Sequence, residues 1–510
     1  MSRADRIALL ISLLAALAAY YVAVRYFEAI PHLEDEIAYV WQAEAIAGGR
    51  LTVPTPPERH SFLVPFVVDY NGQRFGKYPL GWPALLAVGV RLGLRSFVNP
   101  FLAGLGVWLT YRLAQKLLGE TVGILAAVLM ATSPFFLMNS GSLLSHPFGL
   151  VLSAAFALAW VDGFGDRSLP RRWLPTVTAG LALGVLALAR PFTAAAVGFP
   201  FLFHGLYLLV RGDGETRRHV LAVGGLALGI GGLNLLWQYA VTGDPLLNPY
   251  TLWWPYDKIG FGPGVGRAEL GHSLQLARNN TRFNLQVGYS DLFGWGRYSW
   301  IFLPFGLLAA GLRRNWQTLM VAAVLPTLVV FHLAYWVGAW LFGPRYYYEG
   351  LYSLTIVSGA GIAWLAGWPL EPGAAFFPGA ASSPRSGWKR VRSLAVFAIL
   401  TALVLTNLVF YTPQRLEVMH GLYGMERADL QPFLTESARK MAPALIVVHP
   451  KAWTDYGVLL ELQDPFLDTP FIFVYSRGEK ADRLVSEAFP ERKVFHYYPE
   501  EPYTFLTRPK

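Results

Sequence analysis

The chain has no cysteine in its 510 residues. That absence excludes disulfide bonds, thiolate metal centres and a cysteine nucleophile, so any part outside a membrane holds together by packing alone. Charge is also scarce: 15% of residues are charged and 54% are hydrophobic. The centres of the long apolar runs lack Asp, Glu, Lys and Arg altogether. No basic stripe with interleaved aromatics accompanies the net charge of +9, which removes nucleic acid as a partner. There is no internal repeat, and the scattered Asp257, His272 and Asp291 do not have metal-ligand spacing.

Several apolar runs approach or exceed the roughly 20 residues that span a bilayer as helix. Eleven spans are predicted, near residues 8–29, 98–117, 120–135, 147–163, 173–189, 192–210, 219–241, 298–312, 317–339, 347–367 and 393–411. The fold class is therefore an all-α polytopic membrane protein, and its 17 Trp, 25 Tyr and 33 Phe suit interfacial belts. Residues 1–29 resemble a signal peptide in having Arg3 and Arg6 before an apolar run and Ala16-Leu17-Ala18 within it. The run continues past Ala18 to Phe27, longer than a typical signal core, which favours an uncleaved first helix. Residues 80–94, with Gly81, Pro83, Gly89 and Arg91, read as an in-plane helix too short to span.

With a cytoplasmic amino terminus, the inner segments hold Arg3, Arg6, Arg112, Arg167, Arg171, Arg217, Arg218, Arg313, Arg314 and Arg385. The short outer turns hold only Arg190 and Arg345. This is the asymmetry of the positive-inside rule, and it leaves residues 30–97, 243–297 and 412–510 outside. Residues 368–390, rich in Pro and Ser, read as a cytoplasmic connector. From residue 412 to 510 the pattern is that of a small extracytoplasmic α/β domain. β-rich runs at 445–448 and 471–475 alternate there with amphipathic stretches near 426–441 and 479–489.

The outer surface gathers the unusual charges. Glu34, Asp35 and Glu36 open a segment, 34–47, with helical apolar spacing. Carboxylates favour a helix's first turn simply for its dipole. Three together also repel one another, which raises a carboxylate pKa toward proton abstraction. Lys77 follows a turn-rich stretch, Asn71-Gly72-Gln73. A lysine there either snorkels or meets a lipid-linked phosphate. Arg190 and Arg345 run against the charge bias and require anionic partners, a lipid phosphate or, for Arg345, nearby Glu349. His146 is a helix-start hydrogen-bonder or a site residue.

The runs Glu34-Asp35-Glu36-Ile37-Ala38-Tyr39, Gly76-Lys77-Tyr78-Pro79-Leu80, Arg190-Pro191 and Arg345-Tyr346 resemble the GT-C glycosyltransferases of the protein-mannosyltransferase and aminoarabinose-transferase type. Lys-Tyr-Pro-Leu stands where that family has Lys-Pro-Pro-Leu. The resemblance covers most of residues 1–411, the catalytic membrane domain it implies, and leaves 412–510 outside the shared core. It implies an inverting hexosyl- or pentosyltransferase at the extracytoplasmic face of the plasma (inner) membrane. The donor would be a polyprenyl-phosphate-linked sugar, and the acceptor a hydroxyl or amine of a lipid, glycan or protein. Asp35 would take the acceptor proton and Glu36 would orient the site. Lys77, Arg345 and Arg190 would hold the donor phosphate. Tyr39, Tyr78, His146, Asp257, His272 and Tyr346 would line the substrate pocket. No cofactor is required; a divalent metal is possible through Glu34 or His32. The rival reading is a transporter or lipid flippase, which would place charges and broken helices near the midplane.

Overall fold

The structure is a computed structural model that describes residues 1–165, 172–339, 341–376 and 387–510. Arg167, Arg171 and Arg385, and residues 377–386 of the 368–390 connector, lie outside the described residues. Among the described residues, eighteen α-helices precede the carboxy-terminal segment. They are α1 (Arg3–Arg25), α2 (Glu34–Ala47), α3 (Gly81–Arg91), α4 (Val98–Leu118), α5 (Glu120–Ala131), α6 (Pro134–Gly141), α7 (His146–Phe164), α8 (Trp173–Ala189), α9 (Pro191–Arg211), α10 (Gly214–Gly231), α11 (Leu233–Thr242), α12 (Pro249–Trp253), α13 (Leu274–Asp291), α14 (Leu303–Leu312), α15 (Trp316–Ala322), α16 (Val324–His332), α17 (Leu351–Ala366) and α18 (Gly387–Thr406).

Each of the eleven apolar runs overlies one of these helices or an adjoining pair, and residues 81–91 are helical as expected. Among the described residues, five helices are long and apolar enough to cross a membrane. A sixth is formed if α5 and α6, bent by 60° at Thr132 and Ser133, cross together. Other runs fold as shorter helices, α8 with 17 residues and α17 with 16. Helix length alone thus supports fewer crossings than hydropathy counted. The helix starts follow local chemistry. Ser2 and Asp5 form a reciprocal capping box, while Pro147 and Pro191 occupy the first turns of α7 and α9, where the missing N–H costs nothing.

Small residues let the helices approach closely. A Cβ on Gly361 of α17 would stand 2.1 Å from the Phe302 carbonyl oxygen, and one on Gly306 of α14 1.9 Å from that of Val357. Only glycine fits at either point.

Outside the helices, residues 30–97 contain a three-stranded antiparallel sheet of β1 (Val53–Pro54), β2 (Val67–Tyr70) and β3 (Gln73–Gly76), in the order β1-β3-β2. Asn71 and Gly72, at φ 49° and 75°, make the two-residue turn between β2 and β3, the conformation Asn-Gly favours in hairpins. The hairpin ends at Gly76 and so delivers Lys77. The loop 243–297 holds a helix, α13, that its Gly, Pro and aromatic content did not suggest.

The carboxy-terminal segment carries β4 (Ala444–Val448), β5 (Phe471–Tyr475), β6 (Lys493–Tyr497) and β7 (Phe505–Leu506), ordered β5-β4-β6-β7, with β4 parallel to both neighbours. β4 is apolar throughout because both faces are covered. Ile446, Val448 and Phe473 pack with Ile30 on one face, and Leu445, Val447 and Ile472 with Phe62 on the other. Residues of the 30–97 segment thus complete both cores. Arg95 to Glu461 at 2.6 Å and His420 to Glu28 at 3.0 Å pin the two together.

Candidate active site

A cavity of about 980 Å³ lies where residues from 32–79, 246–267 and the turns at Arg190 and Arg345 converge. Its walls come from the start of α2, from Lys77-Tyr78, from Arg190 at the head of α9, from the loop around Asp257 and from the Arg345-Tyr346 turn. Of the residues singled out by sequence, Asp35, Tyr39, Lys77, Tyr78, His146, Arg190, Asp257, Arg345 and Tyr346 all line it.

Asp35 is held from both sides. Arg345 Nη2 stands 3.0 Å from its Oδ2, and the Tyr78 hydroxyl donates to Oδ1. Its side chain remains 24% exposed, open to the cavity. Burial pushes its pKa up, but Arg345, Tyr78 and Lys77 outweigh this and hold the carboxyl below the ordinary aspartate value. At Asp35 repulsion within the acidic trio is overruled by cations that sequence spacing could not bring near. Glu34 and Glu36 are the members that rise, each from loss of surrounding water and from the Asp35 charge.

Lys77 is buried with Nζ 3.2 Å from Asp257 Oδ2. It lies 3.9, 4.8 and 4.9 Å from the ring centroids of Phe66, Tyr250 and Trp254. An aromatic cage stabilises an ammonium ion that has lost water. Asp257 also accepts from the Tyr335 hydroxyl and Trp336 Nε1, each at 3.1 Å. Burial pulls the Lys77 pKa below its ordinary value against the attraction of Asp257.

Arg190 donates from Nε to Glu349 Oε1 at 3.0 Å and from Nη1 to Ser145 Oγ at 2.8 Å. His146 Nδ1 is also 3.0 Å from Glu349 Oε1. Glu349, offered by sequence as a partner for Arg345, therefore belongs to Arg190 and His146. Its carboxylate is wholly buried, and a Cβ on Gly149 of α7 would approach Oε1 to 2.8 Å. Gly149→Ala should displace Glu349 and destabilise the protein by about 1–3 kcal/mol. A lowered melting temperature in detergent checks this; an unchanged one would show that α7 yields instead.

Two residues are placed elsewhere. Glu36 does not line the cavity: it is buried, and its carboxylate accepts the backbone N–H groups of His32 at 2.9 Å, Leu33 at 3.0 Å and Leu143 at 2.6 Å. It caps α2 and ties it to the α6–α7 turn, which orients Asp35 indirectly. His272 is also off the cavity, with Nε2 2.9 Å from the Leu333 carbonyl oxygen and its backbone paired with Gly262. There it fixes the fold of the 243–297 loop. His32 and Glu34 line the cavity, but among the described residues no group of three His, Asp or Glu side chains is arranged for a metal ion.

Sequence reasoning missed Arg267. It lines the cavity with its guanidinium carbon 4.7 Å from the Trp254 ring and 5.6 Å from Trp336. Its Nε donates to the Tyr256 hydroxyl at 3.2 Å. Among the described residues it has no carboxylate partner, unlike Lys77, Arg190 and Arg345. The signal was present, since an arginine in an outer loop opposes the charge bias here as at 190 and 345.

The sequence profile of the family described as dolichyl-phosphate-mannose-protein mannosyltransferase matches residues 89–237. That stretch includes His146 and Arg190, while Asp35, Lys77 and Arg345 fall outside it. No curated protein sequence matches the chain. Among solved structures, ArnT from Cupriavidus metallidurans bound to undecaprenyl phosphate is similar with a TM-score of 0.57 at 13% identity, over 96% of this chain and 89% of that one. The apo oligosaccharyltransferase of Archaeoglobus fulgidus gives 0.54 at 12% identity, over 96% and 69%. The archaeal oligosaccharyltransferase AglB from that organism, in complex with an inhibitory peptide and a dolichol-phosphate, gives the same values. The chain has the fold of the GT-C glycosyltransferases and resembles their mannosyltransferase and ArnT group.

Proposed function

We propose that the chain transfers a sugar, with inversion, from a polyprenyl-phosphate-linked donor to an acceptor hydroxyl or amine at the extracytoplasmic face of the membrane. The observation that carries this reading is the meeting of Asp35 with Lys77, Arg190 and Arg345 in one cavity. An anionic leaving group needs cations and an incoming hydroxyl needs a base, and both are present. The acceptor oxygen or nitrogen bonds to the anomeric carbon as the bond from that carbon to the phosphate oxygen breaks. The electron pair leaves with the phosphate, and the acceptor proton passes to Asp35.

In the unliganded site each of the three cations already has a carboxylate: Asp257 for Lys77, Glu349 for Arg190 and Asp35 for Arg345. A donor phosphate competes with these partners. Arg345 has a buried Nε with no hydrogen-bond partner, so it has a donor left to offer. As Arg345 turns toward phosphate, Asp35 loses the cation that lowers its pKa and becomes a stronger base when the donor is bound. Arg267 joins the phosphate side in this scheme. Polyprenyl phosphate titrated into protein in nanodiscs should bind saturably, and lipid extracted from purified protein should contain it or its glycoside. Absence of both would remove the donor class.

The reading also carries a topology: eleven spans, a cytoplasmic amino terminus and residues 412–510 outside. Gln73→Cys and Glu269→Cys, at exposed positions of the two outer loops, should react with an impermeant thiol reagent in intact cells. Gly214→Cys, with open space around its Cβ, should not. In a cysteine-free chain no native thiol confuses the result. Labelling at 214 with 73 protected would invert the orientation.

A further inference from the structure

Two residues of the carboxy-terminal segment, Tyr423 and Trp453, line the same cavity as Asp35. Neither is needed to hold a phosphate. Tyr423 is 56% exposed yet adopts φ 62° and ψ 18° in the short turn between Gly421 and Gly424. A bulky aromatic residue in the left-handed region carries strain that glycine would not. Strain kept at an exposed position that gives the fold no burial in return points to a use for the side chain.

Trp453 is held differently. Its ring packs against the cluster that Ile37, Trp41 and Ala45 of α2 form with Val53, Val64 and Val67, and a Cβ on Gly457 would come within 2.5 Å of it. The ring therefore rests on a cluster to which the helix that begins with Glu34 and Asp35 contributes, and only glycine behind it leaves room. Glu34 lines the cavity too, exposed and with no ion pair or side-chain hydrogen bond among the described residues. The Arg95–Glu461 and His420–Glu28 pairs fix the segment that carries both rings against the first outer loop.

We propose that Tyr423 and Trp453, with Glu34, form an acceptor subsite and that its ligand is a sugar ring. This deepens the glycosyl-transfer reading and rests on it. A pyranose presents an apolar C–H face that stacks on an aromatic plane and an edge of hydroxyls that donate to a carboxylate, the two chemistries found here. A peptide in extended form asks instead for a strand edge to pair with. Tyr423 lies in a turn and Trp453 opens a short helix, Trp453–Gly457, so neither offers one. The hydroxyl of the seated sugar attacks the anomeric carbon of the donor, gives its proton to Asp35, and the phosphate departs with the bonding pair. A growing glycan or a glycosylated lipid presents such a ring; a bare serine or threonine does not.

The test uses full-length protein in nanodiscs. The probes are fluorescent oligosaccharides of mannose, glucose, galactose, arabinose and N-acetylglucosamine, serine- and threonine-containing peptides, and, separately, polyprenyl phosphate. At least one oligosaccharide class should bind, and Tyr423→Gly and Trp453→Ala should each weaken it about tenfold or more. Trp453→Phe should retain most of the binding, and polyprenyl phosphate affinity should stay within about twofold in all variants. Tyr423→Gly suits the backbone angle better than tyrosine, so it tests the ring without unfolding the turn. Binding of peptides alone, no oligosaccharide binding, or oligosaccharide binding untouched by both variants would overturn the proposal. Failure of wild-type protein to bind polyprenyl phosphate, with oligosaccharides still bound through Tyr423 and Trp453, would overturn the donor reading and leave the sugar subsite standing.

Discussion

Asp35→Asn protein inserts and takes up polyprenyl phosphate, but its sugar transfer falls by about 10²–10⁴-fold, the usual cost of losing a general base. The amide keeps the shape of the carboxyl and still accepts from the Tyr78 hydroxyl, but it cannot take the acceptor's proton. It also cannot pair with Arg345 as an ion, 3.0 Å away in the wild type. Arg345 is then free for phosphate, and donor affinity holds or tightens while turnover collapses. The two quantities moving apart is the signature, measured in the same liposomes by lipid titration and by transfer of labelled sugar. Transfer at the wild-type rate would remove Asp35 from the chemistry, and loss of donor binding would make it part of the phosphate site.

Lys77→Gln and Arg345→Gln should each weaken polyprenyl phosphate binding by roughly 1.5–3 kcal/mol, the value of a charge-assisted hydrogen bond in a partly buried site. Cations that share one phosphate are not independent, so the double variant should depart from additivity by about 0.5 kcal/mol or more. Arg345→Gln has a second effect through Asp35. A base works only when deprotonated, so activity is lost as pH falls through its pKa. Arg345 holds that pKa down, and removing it moves the acid limb of kcat/KM to higher pH. Unchanged lipid affinity in both single variants would transfer the phosphate to Arg190 and Arg267. An unmoved acid limb would separate Arg345 from the base.

The helices were legible because burial against lipid writes long apolar runs into the chain, and the strands at 444–448 and 471–475 because sheets covered on both faces read as unbroken apolar segments. Asp35, Lys77, Arg190 and Arg345 were legible as charges where charge is costly. Their partners were not, because pairing depends on contacts far apart in sequence. Asp257 reaching Lys77 across 180 positions leaves no local trace. The same blindness misassigned Glu349. Glu36 lies off the cavity for another reason: its carboxylate accepts three backbone N–H groups, partners that side-chain spacing does not reveal. The carboxy-terminal segment read as a separate domain because composition shifts at 412, yet Ile30 and Phe62 lie in its cores.

The spacing of the three ion pairs also sets an order of events during synthesis. Lys77 emerges long before Asp257, and Asp35 and Arg190 wait for Arg345 and Glu349. A nascent chain stalled anywhere before Arg345 carries Asp35 without its cation and Arg190 without its anion. Such intermediates hold half-finished charge pairs at the membrane surface, where headgroups and water must serve as stand-in partners. The cavity is thus among the last features to close, after most of the helices around it have been inserted.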